Sequence, residues 1–203
     1  GVESEPSFSP DGNQVAFVWD GQQRDNFDIY VKQIGTEHLL RLTKDPAEDA
    51  SPAWSPDGRH IAFLRLFPGA RAGVFLIPAI GGPERKLAET HEPFLVHVPY
   101  LGWSPDGRWL VITDRTAAEE PKSLFLLSIE TGERRRLTFP PAGSLGDGDG
   151  AAAFSPDGRS LVFGRAGYEV SELNLLALTD DLAPRGEPRR LTFHRQWTAS
   201  PAW

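Results

Sequence analysis

The sequence predicts an all-β protein made of repeated four-stranded antiparallel blades, that is, a β-propeller. Three observations predict it. A Ser-Pro-Asp-Gly turn occurs four times: Ser9-Pro10-Asp11-Gly12, Ser55-Pro56-Asp57-Gly58, Ser104-Pro105-Asp106-Gly107 and Ser155-Pro156-Asp157-Gly158. The serines recur 46, 49 and 51 residues apart, a period that suits propeller blades. Between the turns lie strand-length apolar runs, with no helix pattern separating the copies.

The turn is read as type I. Pro presets φ at the second position, Asp suits the third, and Gly tolerates a positive φ at the fourth. The serine hydroxyl can bond back to the turn backbone. An aromatic precedes each turn (Phe8, Trp54, Trp103, Phe154), and each is large enough to wedge between neighbouring sheets. A residue present in every repeat is framework, so these serines and aspartates are read as structural rather than as nucleophiles or ligands.

After each turn comes a first apolar run: Val15 to Trp19, Ile61 to Leu64, Trp109 to Ile112, Leu161 to Phe163. Apolar on consecutive positions, these strands are covered on both faces. A second run follows at Ile29 to Val31, Val74 to Ile77, Leu124 to Leu127 and Leu173 to Leu178. Gly35, Gly81 and Gly132 punctuate three copies, and the fourth carries a longer polar insertion, Thr179 to Glu187. A third run closes each unit: Arg41-Leu42-Thr43, Lys86-Leu87-Ala88, Arg136-Leu137-Thr138, Arg190-Leu191-Thr192. With the segment before the turn, each unit holds four strands. One such sheet cannot bury two apolar faces alone, and stacking sheets face to face around an axis buries them. A β-sandwich would not require four near-copies of one turn. The repeats span about 1–46, 47–95, 96–146 and 147–196 of a single domain. Residues 197–203, ending in Ser200-Pro201-Ala202-Trp203, open a fifth.

The chain has 203 residues, no Met and no Cys. It is expected to be a segment of a longer polypeptide, with further blades in the parent or a second copy completing a ring. Without Cys there is no disulfide framework and no thiol chemistry, and the compartment stays open. No apolar stretch is long enough to span a membrane. The net charge of −7 argues against a general nucleic-acid binder. The basic clusters Arg134-Arg135-Arg136 and Arg189-Arg190 fall on the last strand of their units, where charge blocks edge-to-edge pairing.

No catalytic constellation is found. There is no Gly-x-Ser-x-Gly elbow, P-loop or dinucleotide glycine pattern. His91-Glu92 begins like a zinc-protease motif, but Leu95 stands where the second His must be and Pro93 interrupts any helix. The five histidines lack metal-ligand spacing, and His91 with His97 could meet only across a folded loop. Asp147-Gly148-Asp149-Gly150 resembles part of a calcium loop, but Ala151-Ala152-Ala153 breaks the pattern; a flexible loop before a strand is the simpler reading. No metal and no cofactor are expected. Trp19 and Trp109 are read as core, and Trp197 as a loop aromatic able to anchor a partner.

One binding pattern stands out. Five residues before the aromatic of each innermost strand lie Glu3, Asp49, Val98, Asp149 and Thr198. Glu3, Asp49 and Asp149 would form an acidic channel rim favouring a cation or a basic peptide. Alternatively, each carboxylate accepts backbone N–H bonds at a strand entrance.

The signature Ser51 to Gly58, followed by Arg59-His60-Ile61-Ala62-Phe63, with Asp28-Ile29-Tyr30-Val31 and Arg-Leu-Thr of the neighbouring units, resembles the WD40-like repeats of the TolB β-propeller family. The resemblance covers essentially the whole chain. Lys86-Leu87-Ala88 and Tyr100-Leu101-Gly102 depart from it. It implies three contexts. TolB is periplasmic and binds protein partners with its propeller. Similar repeats form extracytoplasmic sensor regions of bacterial regulators and kinases. Similar propellers also cap prolyl-oligopeptidase-type serine peptidases, where they filter substrates. The expected function is therefore a non-catalytic module that binds a protein or peptide, with a gating propeller of a peptidase as the alternative.

Overall fold

The computed structural model describes residues 1–91, 100–117, 119–141, 148–166, 171–193 and 201. Among them, sixteen strands form four separate four-stranded antiparallel sheets. The first holds β1 (Glu3–Phe8), β2 (Gln14–Trp19), β3 (Asp28–Gln33) and β4 (Leu39–Arg41). The second holds β5 (Asp49–Trp54), β6 (His60–Phe67), β7 (Arg71–Pro78) and β8 (Arg85–His91). The third holds β9 (Leu101–Trp103), β10 (Trp109–Asp114), β11 (Ser123–Ser128) and β12 (Arg134–Arg136). The fourth holds β13 (Gly148–Phe154), β14 (Ser160–Ala166), β15 (Ser171–Ala177) and β16 (Arg189–Arg190). Each sheet is an up-and-down meander in chain order, the blade that the repeat predicted. The predicted opening strand of a fifth repeat, with Trp197, falls outside the described residues except Pro201.

The chain divides into two compact units, Gly1–Pro99 with the first two blades and Tyr100–Trp203 with the third and fourth. In the first unit, Ala16, Val18, Ile29, Val31 and Leu42 of one blade pack on Trp54, Ile61, Phe63 and Ile77 of the next. In the second, Val111, Leu124, Leu126 and Leu137 pack on Phe154, Leu161, Phe163 and Leu176. Strand alternation makes this possible: successive side chains point to opposite faces, so every second apolar residue joins one interface. Trp54 and Phe154 take the predicted wedge position in these two cores. Phe8 is 63% exposed and Trp103 only half-buried, so the wedge forms in the second blade of each unit.

The four turns share one geometry. In each, the serine hydroxyl donates to the aspartate carboxylate two residues on. The same oxygen accepts the N–H of the residue five on: Gln14, His60, Trp109 or Ser160. The glycine N–H donates to the serine carbonyl, with glycine φ of 71°, 71°, 70° and 70°, a region costly for residues with a Cβ. The serines are buried, so the hydroxyl satisfies groups that water cannot reach.

The Arg-Leu-Thr run is less strand than predicted: the fourth strand ends at the arginine. Leu42 and Leu137 fill the cores. The threonine hydroxyl accepts an N–H from near the start of the third strand, from Ile29 to Thr43, Leu124 to Thr138 and Leu173 to Thr192, each at 2.9 Å. The arginine Nε donates to the threonine carbonyl in the same three copies. This cap ends the ladder between the third and fourth strands. In the second blade Ala88 has no hydroxyl to offer, and the β7–β8 ladder instead runs on through a bulge to Arg71 opposite His91. That absence makes β8 seven residues long where β4, β12 and β16 have three, three and two.

Candidate functional site

The acidic positions chosen from the sequence sit at matching points in the innermost strands, with different surroundings. Asp49 is fully buried and opposite Arg65 in the β5–β6 register. Its two oxygens accept Arg65 Nε at 2.8 Å and Nη2 at 2.9 Å. Asp149 is opposite Arg165 and accepts the same fork at 2.6 and 2.8 Å. This planar bidentate match is what a guanidinium offers a carboxylate. Burial pushes the Asp49 carboxyl up to about 6, against the pull of Arg65. The bond it donates to Asp149 holds Arg165 above its usual range. Glu3 lies opposite Trp19, is exposed, and makes no ion pair among the described residues. Val98 and Thr198 lie outside the described residues.

The inner strands are kinked at one shared place. Glu5, Ser51 and Ala151, each three residues before the pre-turn aromatic, have φ of 54°, 51° and 50°. The register shifts there in all three sheets, as a bulge requires. In the first unit the kinks interlock: the Glu5 carboxylate accepts the Ser51 N–H, and Ser7 Oγ accepts the Trp54 N–H at 3.2 Å. Glu5 is thus a positioning residue that sequence spacing did not single out.

Glu3 borders a groove of about 380 Å³ on the first blade, floored by Val15, Phe17 and Trp19 and edged by Lys32 and Leu39. Trp19 was expected in the core. It is half-buried instead, edge-on to Tyr30 with ring centroids 4.9 Å apart. Trp109, by contrast, is half-buried but packs against the core of the second unit as expected, beneath the Arg135 guanidinium at 5.5 Å. A second cavity of about 240 Å³ lies in the second unit between the turns at Asp106 and Asp157 and the insertion at Thr179 to Leu182. The insertion is ordered: Leu182 is buried in the core, and Arg135 donates to the Asp181 carbonyl.

The basic clusters are engaged within the molecule. Arg134 pairs with Asp114, Arg136 with Ser123 and Glu120, and Arg190 with Glu172. The calcium-like stretch is likewise structural where it is described. Gly148 to Gly150 are strand, not flexible loop. A Cβ on Gly148 would lie 2.2 Å from the Lys122 carbonyl, and its φ is 84°, so only glycine fits. Asp147, His97 and His194 lie outside the described residues. Among the described residues no three His, Cys, Asp or Glu are grouped to hold a metal ion, and no helix is long and apolar enough to cross a membrane.

Residues 1–92 match the family model described as the TolB β-propeller domain. The chain is 29% identical over 198 residues to the uncharacterized peptidase YuxL of Bacillus subtilis, which covers 79% of this chain and 29% of that protein. Among solved structures, TolB from Acinetobacter baumannii superimposes with a TM-score of 0.75 at 16% identity, over 94% of this chain and 43% of TolB. A puromycin-hydrolyzing peptidase of Mycobacterium tuberculosis superimposes with a TM-score of 0.68 at 17% identity, over 100% of this chain and 30% of the peptidase. The chain thus spans less than half the length of each of these proteins. Turn, cap, meander and family match converge: residues 1–92 carry the TolB-type β-propeller repeat, and the remaining described blades repeat its turn and meander with the fold of a TolB propeller.

Proposed function

We propose that this chain is a non-catalytic propeller module that binds a polypeptide. The observation that carries it is the double likeness: residues 1–92 match the TolB propeller, while a 198-residue alignment to a peptidase runs through the same repeats. The TolB resemblance implies protein partners and a peptidase acts on polypeptide, so a polypeptide ligand is common to both. Within the module, Glu3 is the proposed contact residue, an exposed carboxylate beside an aromatic groove. Asp49 and Asp149 are proposed to act on binding only through the strands they hold.

The test is calorimetric titration of the chain with a panel of extended peptides, basic and neutral, with and without proline. Binding at micromolar to millimolar Kd, roughly −8 to −4 kcal/mol, is expected, weakened by Glu3→Gln. No binding by any peptide at millimolar concentration would overturn the reading.

A second reading is favoured by the YuxL alignment: a propeller that gates substrate entry to a peptidase. Sequencing the reading frame beyond Trp203 separates the two. A Gly-x-Ser-x-Gly elbow in a hydrolase region makes the module a gate, and its absence leaves the free-standing binding role.

A further inference from the structure

The second blade holds a charged cluster that peptide binding does not use. The Arg65 guanidinium lies over the rings of Phe63 and Phe75, 5.4 and 4.8 Å from their centroids, and its side chain is only 5% exposed. It meets three carboxylates from three segments. Asp49 of β5 takes the fork already described. Glu84, from the β7–β8 connection, accepts Nη1 at 2.6 Å and Nη2 at 3.1 Å. Asp45, from the β4–β5 connection, accepts Nη1 at 3.3 Å. The Thr43 hydroxyl also reaches Asp49, and it lies 3.4 Å from an oxygen of Asp28 of β3, which is paired with Arg41 of β4. One cation therefore faces three acids: Arg65 and Asp49 are sealed from water beside two aromatic rings, while Glu84 and Asp45 reach them from partly exposed positions. A guanidinium offsets one negative charge, and like charges sharing a desolvated site resist full ionisation.

We propose that the Asp45–Asp49–Arg65–Glu84 cluster is a proton-binding staple: as pH falls from neutral toward 5 it takes up one proton, and the joint it makes between β5, β6 and the two connections tightens. Asp49 is the seat of the proton, being the most buried of the three acids and pushed up to about 6. Its folded value lies above the ordinary 3.8, so its stabilising effect is fully present below pH 3.8 and is lost as pH rises through 6. Between pH 7 and pH 5 this linkage shifts the folding equilibrium about tenfold toward the folded state.

The experiment is urea unfolding of the chain and of Asp49→Asn at both pH values. The wild type should gain about tenfold more in its folding constant than the variant on acidification; equal responses would overturn the proposal. Should Asp49→Asn fail to fold, carboxyl carbon-13 NMR titration of the wild type and Glu84→Gln decides. A midpoint near 6 for Asp49 that falls when Glu84 loses its charge supports the staple. A midpoint in the ordinary aspartate range, or one indifferent to Glu84→Gln, overturns it.

Discussion

The second and fourth blades build the same ion pair in two settings. Asp49–Arg65 and Asp149–Arg165 have the same sequence separation, the same register across the first two strands and the same two-pronged bond. Around Arg65 gather two further carboxylates and two aromatic rings, with 5% of its side chain exposed. Among the described residues, Arg165 has one ring, at 5.6 Å, and Asp149 alone in ion-pair contact, with 27% of the arginine side chain exposed. The strands fix the pair, and the connecting loops decide how deeply it is sealed. The repeat thus gives the second and fourth blades a shared joint that each reinforces to a different degree.

Removing the arginine should break the two joints unequally. Arg65→Met leaves three carboxylates around a buried apolar side chain and should cost about 3–5 kcal/mol. Arg165→Met should cost less, because partial exposure lets water take over part of the work. Urea unfolding measures both, and equal losses would mean that the extra carboxylates and rings around Arg65 contribute nothing.

The threonine cap offers a smaller contrast. Thr138→Ala leaves the Leu124 N–H without its bond and should cost about 1.5 kcal/mol. Ala88→Thr in the second blade should gain nothing, because the β7–β8 ladder already occupies the place of the cap. A stabilisation there by the same amount would show that the longer β8 is not an alternative to the cap.

The turns should respond to pH in the opposite sense to the Arg65 cluster. The serine hydroxyl first, then the backbone N–H two residues on, hold Asp11, Asp57 and Asp157 below the ordinary value of 3.8. A lowered folded value gives stability that is present above pH 3.8 and is lost as pH falls through the folded value. Ser55→Ala should bring the NMR titration midpoint of Asp57 back toward 3.8, while leaving Asp157 in its own turn unmoved.

The smallest stability effect is expected at Glu3. With no ion pair among the described residues, Glu3→Gln should change unfolding by less than about 0.5 kcal/mol while weakening peptide binding.

The turns and the strands were legible because they rest on local chemistry. Pro10, Asp11 and Gly12 select a backbone shape, and alternating or continuous apolar runs select strands. The pairing of Asp49 with Arg65 was not, because it depends on register across a bulge at Ser51 that no local propensity announces. A signal was present all the same: an aspartate and an arginine sixteen residues apart recur in the second and fourth copies. The first copy has Glu3 and Trp19 at those places, which is why Trp19 flanks a groove rather than a core. The threonine of Arg-Leu-Thr was seen as strand because its hydroxyl acts across the sheet, on an N–H fourteen residues back.

The measurement that tests the division between framework and binding most directly is a paired one. The double variant Asp49→Asn with Asp149→Asn, and Glu3→Gln, are each titrated with the same peptide panel and unfolded in urea. The predicted result is that the double variant changes in stability and keeps its peptide affinity, while Glu3→Gln keeps stability and loses affinity. A double variant that unfolds like the wild type yet no longer binds would show that the buried aspartates contact the ligand and are not framework.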